Sequence, residues 1–456
     1  MRPRPRRSRR APFALAALTL AARPVHAQPP AAPASQLPPI RPLGAVVASS
    51  AEPLGSVAAV RALPGGRVLV NDMARRRVLL FDSTLATYTV VADTTSATGN
   101  AYGGRLGGLL AFRGDSSLFV DPQSLSMLVV DPQGKLGRVL SVPRASDAMS
   151  LTGLALGAPG FDARGRLVYR AQPGFNFRMT PDGPPQMPAM PDSAPIVRVD
   201  LATRQVDTVT FVRTPRPNMT MTQDAEGRPS VSVTTNPLPT VDDWAVLSDG
   251  TIAVLRGRDF HVDLVGPDGT VRAAPRMPYD WQRMSDEYKV AFLDSTRTAM
   301  ERQRAELQAT LATGGGTATS PGGDMIISMR RSGDGPPLRG GAGGGAGAAL
   351  QLPPVSLVPA SELPDYKPAF GSGAARADAD GNLWVRLIPT RPLAGPLYAV
   401  IDGTGKLVDR VLLPANTAIA GFGPGGVVYL GQRDAAAGGG AGTLGGGVRL
   451  QRARVR

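Results

Sequence analysis

The sequence predicts an all-β fold, a six-bladed β-propeller closed by an N-terminal strand, with one inserted α-helix and Gly-rich loops. Three observations predict it. A Gly-containing tight turn followed by a short β-rich run occurs six times, at 64–70, 114–120, 163–169, 248–254, 379–385 and 423–429. Repeats of this size mark architectures built from small stacked units. A second run ending in Asp follows in four copies, as in Val78 to Asp82, Met127 to Asp131, Ile196 to Asp200 and Tyr398 to Asp402. Around this pair lie two more β-rich runs, one before the opening turn (Val57 to Leu63, Trp244 to Leu247) and one after the Asp (Thr87 to Val91, Leu407 to Leu413). β-Branched and aromatic runs bounded by Gly, Pro and Asp read as antiparallel strands joined by hairpins.

A lone four-stranded sheet cannot bury both of its faces. Six in a ring can, because each packs on its neighbours and only short edges remain. The blades are expected at 54–93, 105–143, 152–213, 243–275, 372–414 and 417–456. The last holds three clear strands, so the run Leu43 to Ala48 is expected to complete it. A seven-bladed ring with a cryptic blade and a two-sheet sandwich are the alternatives. Five stretches interrupt the pattern. Residues 171–195, rich in Pro and Met, read as a long hairpin loop, and 214–240 as a polar linker. Residues 281–313 read as a helix. Ser285 is placed to cap it, Asp286 and Glu287 favour its dipole, and Tyr288, Phe292, Met300, Leu307 and Leu311 form an apolar stripe. The Gly-rich runs 314–350 and 434–447 read as flexible loops.

The first 27 residues have the grammar of a secretory signal: seven Arg, an apolar stretch from Ala11 to Ala22, and Val25-His26-Ala27 as a cleavage site. A Pro-rich linker is expected at 28–42, the propeller at 43–456, and the mature protein in the periplasm or outside the cell. Removing the signal halves the formal charge of +14 to +7. The remaining Arg are scattered, which argues against a nucleic-acid partner. With no Cys there is no disulfide and no thiolate chemistry. No other apolar run is long enough to span a membrane, and a monomer is expected.

Asn71-Asp72, Arg77-Val78 and Phe81-Asp82 resemble the NHL-type repeat, in which an Asp ends the second strand of a blade and an Arg opens the third. The positions equivalent to Arg77 in other blades hold Ser126, Pro195, His261 and Leu397. The passage Leu363 to Phe370, followed by Asp380 to Arg386, is similar to exported bacterial six-bladed propellers with NHL-like blades. That resemblance implies fold and compartment more than activity.

Catalytic side chains are few. Beyond the signal the chain has one histidine, His261, flanked by Asp259 and Asp263 on its own strand face. It reads as a polar residue at the turn between second and third strands. The Asp-Gly turns lack the alternating oxygens and closing Glu of a calcium loop and read as hairpin chemistry. Function is therefore expected at the axial funnel, where loops entering the innermost strands converge. Glu52, Tyr102, Arg105, Asp243, Tyr366 and Lys367 are the candidate ligand-binding rim. The leading expectation is an exported non-enzymatic module, without a cofactor, that binds an envelope protein, peptide, glycan or small molecule. The rival is a metal-dependent hydrolase resembling the gluconolactonase and regucalcin-like propellers. Such proteins hold one divalent cation, such as calcium, on carboxylate and amide oxygens, for which Glu52, Asp243 and Asn100 are the residues to try.

Overall fold

One local device closes the hairpins. Asp131 accepts backbone N–H bonds from Gln133 (2.9 Å) and Lys135 (2.8 Å). Asp402 does the same with Thr404 (2.9 Å) and Lys406 (3.0 Å), and Asp162 with Arg164 and Arg166 (both 3.0 Å). The carboxylate thus stands in for a backbone turn. A glycine three residues after the Asp takes the left-handed conformation that the tight turn requires, with φ of 83° at Gly134 and 86° at Gly405. The Asp-Gly motifs are turn chemistry, as the sequence indicates.

The structure, a computed structural model, describes residues 37–153, 156–172, 191–215, 218–223, 229–312, 355–433 and 447–455. The expected signal at 1–27, most of the 171–195 loop and the Gly-rich run 314–350 lie outside the described residues. Two strands, β1 (Ile40–Pro42) and β2 (Val46–Ser49), precede the first blade. Blade one is β3 (Ala59–Ala62), β4 (Val68–Asp72), β5 (Arg77–Phe81) and β6 (Tyr88–Ala92). Blade two is β7 (Gly108–Ala111), β8 (Ser117–Asp121), β9 (Ser126–Val130) and β10 (Leu136–Ser141). Blade three is β11 (Gly160–Phe161), β12 (Leu167–Arg170), β13 (Ser193–Val199) and β14 (Val206–Arg213). A hairpin, β15 (Asn218–Gln223) and β16 (Pro229–Thr235), intervenes. Blade four is β17 (Asp243–Val246), β18 (Ile252–Arg256), β19 (His261–Val265) and β20 (Val271–Ala273). After α1 (Asp286–Ala312) and β21 (Ser356–Leu357) comes blade five: β22 (Ala375–Ala377), β23 (Leu383–Arg386), β24 (Leu397–Ile401) and β25 (Leu407–Leu412). Blade six is β26 (Thr417–Gly423), β27 (Val427–Arg433) and β28 (Val448–Arg454), and its fourth strand is β2, antiparallel to β28.

Hydrophobic clusters fill all six seams. Leu69 and Val78 of blade one meet Phe119 and Val130 of blade two. Leu118 and Val120 meet Leu167 and Tyr169. Val168 and Ile196 meet Trp244 and Val254. Leu255 and Phe260 meet Val385 and Ile401. Trp384 and Tyr398 meet Val428 and Leu430. Tyr429 and Leu450 return to Val68 and Leu79 of blade one. The ring is closed with six blades, which excludes the seven-bladed and sandwich alternatives.

Three expectations are corrected. The 28–42 linker ends in structure: β1 adds to blade five as a fifth strand, parallel to β25, and Arg41 pairs with Asp409. The 214–240 linker contains the β15–β16 hairpin, and β16 pairs with β21 to make a small sheet of its own. In α1, capped by Ser285 Oγ on the Tyr288 N–H (3.2 Å), Phe292 of the predicted stripe packs on the neighbouring core, but Tyr288 does not. Tyr288 is 37% exposed, whereas Lys289 and Leu293 are buried. Leu293 packs with Leu238, Met284, Val358 and Leu363, and Lys289 bonds Asp365 (2.8 Å). The long Lys stem lies along apolar surface while its ammonium reaches a carboxylate. Both insertions leave an outermost strand and return to an innermost one, so they rise from the same face of the ring, around blades four and five.

Closure through β2 generates a prediction. A chain starting at residue 50 leaves β28 as an unpaired edge. Calorimetry is expected to show a clearly lower Tm and aggregation on heating. An unchanged Tm would mean that blade six does not need β2.

Candidate functional site at the corner of blade four

The expected funnel residues do lie on the side where the chain enters the innermost strands, but they do not form one site. Glu52 is exposed and accepts a hydrogen bond from Tyr88 Oη (3.1 Å). Tyr102 is 1% exposed, and its hydroxyl donates to Asn71 Oδ1 (3.0 Å) while Asn71 Nδ2 donates to Gly107 O (2.8 Å). Burial pushes its phenol up. It is a core residue joining blades one and two, not an open rim group. Arg105 is exposed and makes no hydrogen bond or ion pair among the described residues. Lys367 donates to Pro389 O (2.8 Å), and burial lowers its ammonium pKa. Its neighbour Tyr366 forms a backbone bridge with Arg283.

Asp243 is wholly enclosed. Its Oδ1 accepts the Trp244 N–H (2.8 Å) and its Oδ2 the Ala375 N–H (2.9 Å), so it fastens the innermost strand of blade four to that of blade five. Desolvation outweighs these bonds and pushes its carboxyl up to about 6.

The cation trio of the rival reading is not assembled. Both oxygens of Asp243 serve backbone N–H groups, Glu52 bonds Tyr88 in the opposite blade, and Asn100 is an exposed residue in a left-handed turn. The six innermost strands begin with Ala59, Gly108, Gly160, Asp243, Ala375 and Thr417, which offer one carboxylate between them. Among the described residues no three His, Cys, Asp or Glu side chains converge to hold a metal ion.

A different site stands at the corner between β18 and β19. Blade one shows an acidic form of this corner. Asp72 ends the second strand, accepts the N–H groups of Gly55 (3.2 Å) and Ser56 (2.8 Å) from the entry loop, and pairs with Arg77 (3.0 Å) across the turn. Blade two keeps the acid, Asp121, on the Gly104 N–H (3.2 Å). Blade four reverses the polarity. The cross-strand pair equivalent to Asp72–Arg77 is Arg256–His261. The acid has moved to the entry loop: Asp242 accepts from Arg256 Nη1 (2.9 Å), the Gly257 N–H (3.1 Å) and the Arg213 N–H (3.1 Å). Gly257 lies so close to the entry strand that a Cβ there would sit 1.9 Å from Val241 O. Phe260, left-handed at φ 53° but fully buried, then turns the chain into His261.

The result is a polar cavity of about 280 Å³ lined by Arg213, Asp242, Arg256, Arg258, Asp259, His261 and Asp263. The imidazole lies between two carboxylates, with Nδ1 2.7 Å from Asp259 Oδ1 and Nε2 3.2 Å from Asp263 Oδ1. Each carboxylate is braced from behind, Asp263 by Arg256 Nε (2.7 Å) and Asp259 by Arg276 Nε (3.1 Å). The sequence reading placed His261 correctly, at a strand opening with both acids beside it, but took it as bland. It missed Arg213, Asp242, Arg256 and Arg258. The available signal was five charged or titratable residues among the eight from Arg256 to Asp263.

No protein-family model matches the chain, and no curated protein matches it. Solved structures similar to it include a gluconolactonase from Xanthomonas campestris, 13% identical, covering 91% of this chain and 99% of that one with a TM-score of 0.36. Regucalcin, a calcium-binding protein from Agrobacterium tumefaciens, is 10% identical over 91% and 98% with a TM-score of 0.39. The PQQ-bound aldose sugar dehydrogenase from Streptomyces coelicolor is 13% identical over 92% and 100% with a TM-score of 0.35. Enzymes stand among the similar propellers, so the expectation of a non-enzymatic module is not supported. At these identities the likeness concerns the fold. No helix among the described residues is long and apolar enough to cross a membrane.

Two predictions follow from the buried polar groups. Unfolded Asp ionises near pH 4, roughly, while folded Asp243 holds its proton to about 6. Between those values the folded state binds more protons, so this residue's contribution to stability falls as pH rises through the window. Asp243→Asn is expected to flatten that slope and to cost about 1–3 kcal/mol at pH 4, because an amide nitrogen cannot accept an N–H bond. Urea unfolding at pH 4 to 7 checks this, and an unchanged slope would contradict it. Tyr102→Phe leaves the buried Asn71 oxygen without its donor and is expected to cost about 1–3 kcal/mol in the same assay.

Proposed function

We propose that the chain is an enzyme working by general acid–base chemistry in the His261 cavity, suited to hydrolysis of a small ester or lactone. One observation carries this reading: a lone imidazole is held between two braced carboxylates inside a polar cavity. Fixed geometry of this kind is what proton transfer requires.

The two ring nitrogens have different tasks. The shorter contact, to Asp259, fixes the Nδ1 proton and the ring's orientation, which leaves Nε2 to exchange protons. A water that takes the place of Asp263 Oδ1 at Nε2 gives its proton to Nε2 as its oxygen bonds to the substrate carbonyl carbon. The tetrahedral oxyanion then collapses, the ester C–O bond breaks, and Nε2 returns the proton to the departing alkoxide. Asp259 stabilises the imidazolium formed between these steps. Arg256, bonded to both Asp242 and Asp263, holds Asp263 in place and is a positioning residue.

The test is a panel of small aryl esters and lactones with His261→Gln. Turnover is expected to fall roughly 10²- to 10⁴-fold with KM little changed, the range for loss of a general acid–base group. Equal turnover by the variant would remove His261 from the chemistry.

A further inference from the structure

The cavity has an unbalanced set of partners. All three acids that line it are engaged. Asp242 and Asp263 share Arg256, and Asp259 has His261 and, from outside the lining, Arg276. Two of the three lining guanidiniums have no such engagement. The Arg213 and Arg258 side chains make no hydrogen bond, ion pair or ring contact among the described residues. Arg213 ends the outermost strand of blade three, and Arg258 lies in the β18–β19 turn of blade four. Two elements from different blades therefore bring an unneutralised cation to the same cavity as the imidazole.

We propose that Arg213 and Arg258 bind an oxyanionic group of the substrate, a carboxylate or a phosphate, and so select anionic esters or lactones over neutral ones. This rests on reading the cavity as the active pocket. A guanidinium presents a planar fork of donors that matches either anion, and such charge-assisted bonds are the strong ones. The anion also has reason to prefer this cavity. With Arg276 counted, four guanidiniums face three carboxylates, and the two without a partner are the ones an anion can reach without displacing an acid. Neither guanidinium contacts His261, so an anion held between them need not occupy Nε2.

The experiment titrates the full chain with inorganic phosphate and, separately, with malonate, by calorimetry at constant ionic strength with chloride as background. Saturable binding of at least one anion is expected. Arg213→Gln and Arg258→Gln are each expected to weaken it about tenfold, and the double variant about a hundredfold, since hydrogen bonds to charged groups run at roughly this strength. Stronger binding of phosphate than of malonate would point to phosphate-bearing substrates, and the reverse order to carboxylates. His261→Gln is expected to keep anion binding. No saturable binding, or binding untouched in the double variant, would overturn the proposal. The two readings fail separately. Neutral esters hydrolysed as fast as anionic ones, with no loss in the Arg variants, would defeat the anion selectivity and leave the acid–base site standing. Anion binding that needs both Arg, with no ester or lactone turned over, would defeat the acid–base reading.

Discussion

The ring must close, and everything else in the structure depends on that. Each blade is a twisted antiparallel sheet with two apolar faces, and each face is covered only by the neighbouring blade. A missing partner anywhere would expose two seams' worth of apolar surface. Closure comes from the antiparallel pairing of β2 with β28, which puts residues from the start and end of the propeller into one sheet. Leu54, just past β2, is fully buried with Leu450 and Tyr429 and seals the last seam. Because the strands alternate their side chains, a one-residue slip in this pairing would turn the buried set of β28 outward.

Within the closed ring, polar groups fix the orientation of blades whose apolar contacts are largely non-directional. Asp243 ties the innermost strands of blades four and five. Asn71 and Tyr102 tie blades one and two. Asp380 accepts the N–H groups of Gly425 (2.9 Å) and Gly426 (2.7 Å), linking blades five and six. The first two sets are buried and the third is exposed, and all but the Tyr102–Asn71 bond join a fixed backbone group to a short side chain, so they specify geometry at little conformational cost. The corners of blades one and two use the same economy, one acid serving the entry loop and the turn. Blade four departs from it. With Arg256 where blades one and two have Asp72 and Asp121, the acids are placed at Asp242, Asp259 and Asp263, and a histidine is caught between two of them.

Much of this was legible in the chain. The turn motifs gave the strands because Asp and Gly are demanded locally, by side-chain caps and positive φ, whatever the surroundings. The fourth strand of blade six could be read from Leu43 to Ala48 because a missing strand in a counted repeat has only one place to come from. The short strand β1 could not, since its pairing with β25 depends on a tertiary edge, not on its own pattern. The α1 face holds at Phe292 but not at its start, because a buried Lys289 looks polar in sequence and is satisfied by Asp365, far along the chain. The funnel residues were read from loop position alone, which tells which side of the ring a residue is on but not whether it is sealed, as Tyr102 and Asp243 are. The site was hidden for a related reason. Its five residues from 256 to 263 are contiguous, yet Arg213 and Asp242 reach it only through the seam between blades three and four.

The most direct measurement of the central claim is the imidazole nitrogen spectrum of the full chain with a non-hydrolysable phosphonate ester analogue. The chain has two histidines, His26 and His261, so His261→Gln assigns the signals. Acid–base chemistry at this corner predicts a large change at His261 Nε2, where the analogue and water meet the ring, with Nδ1 still held by Asp259. A spectrum in which the analogue leaves both His261 nitrogens unchanged would place the chemistry elsewhere on the ring.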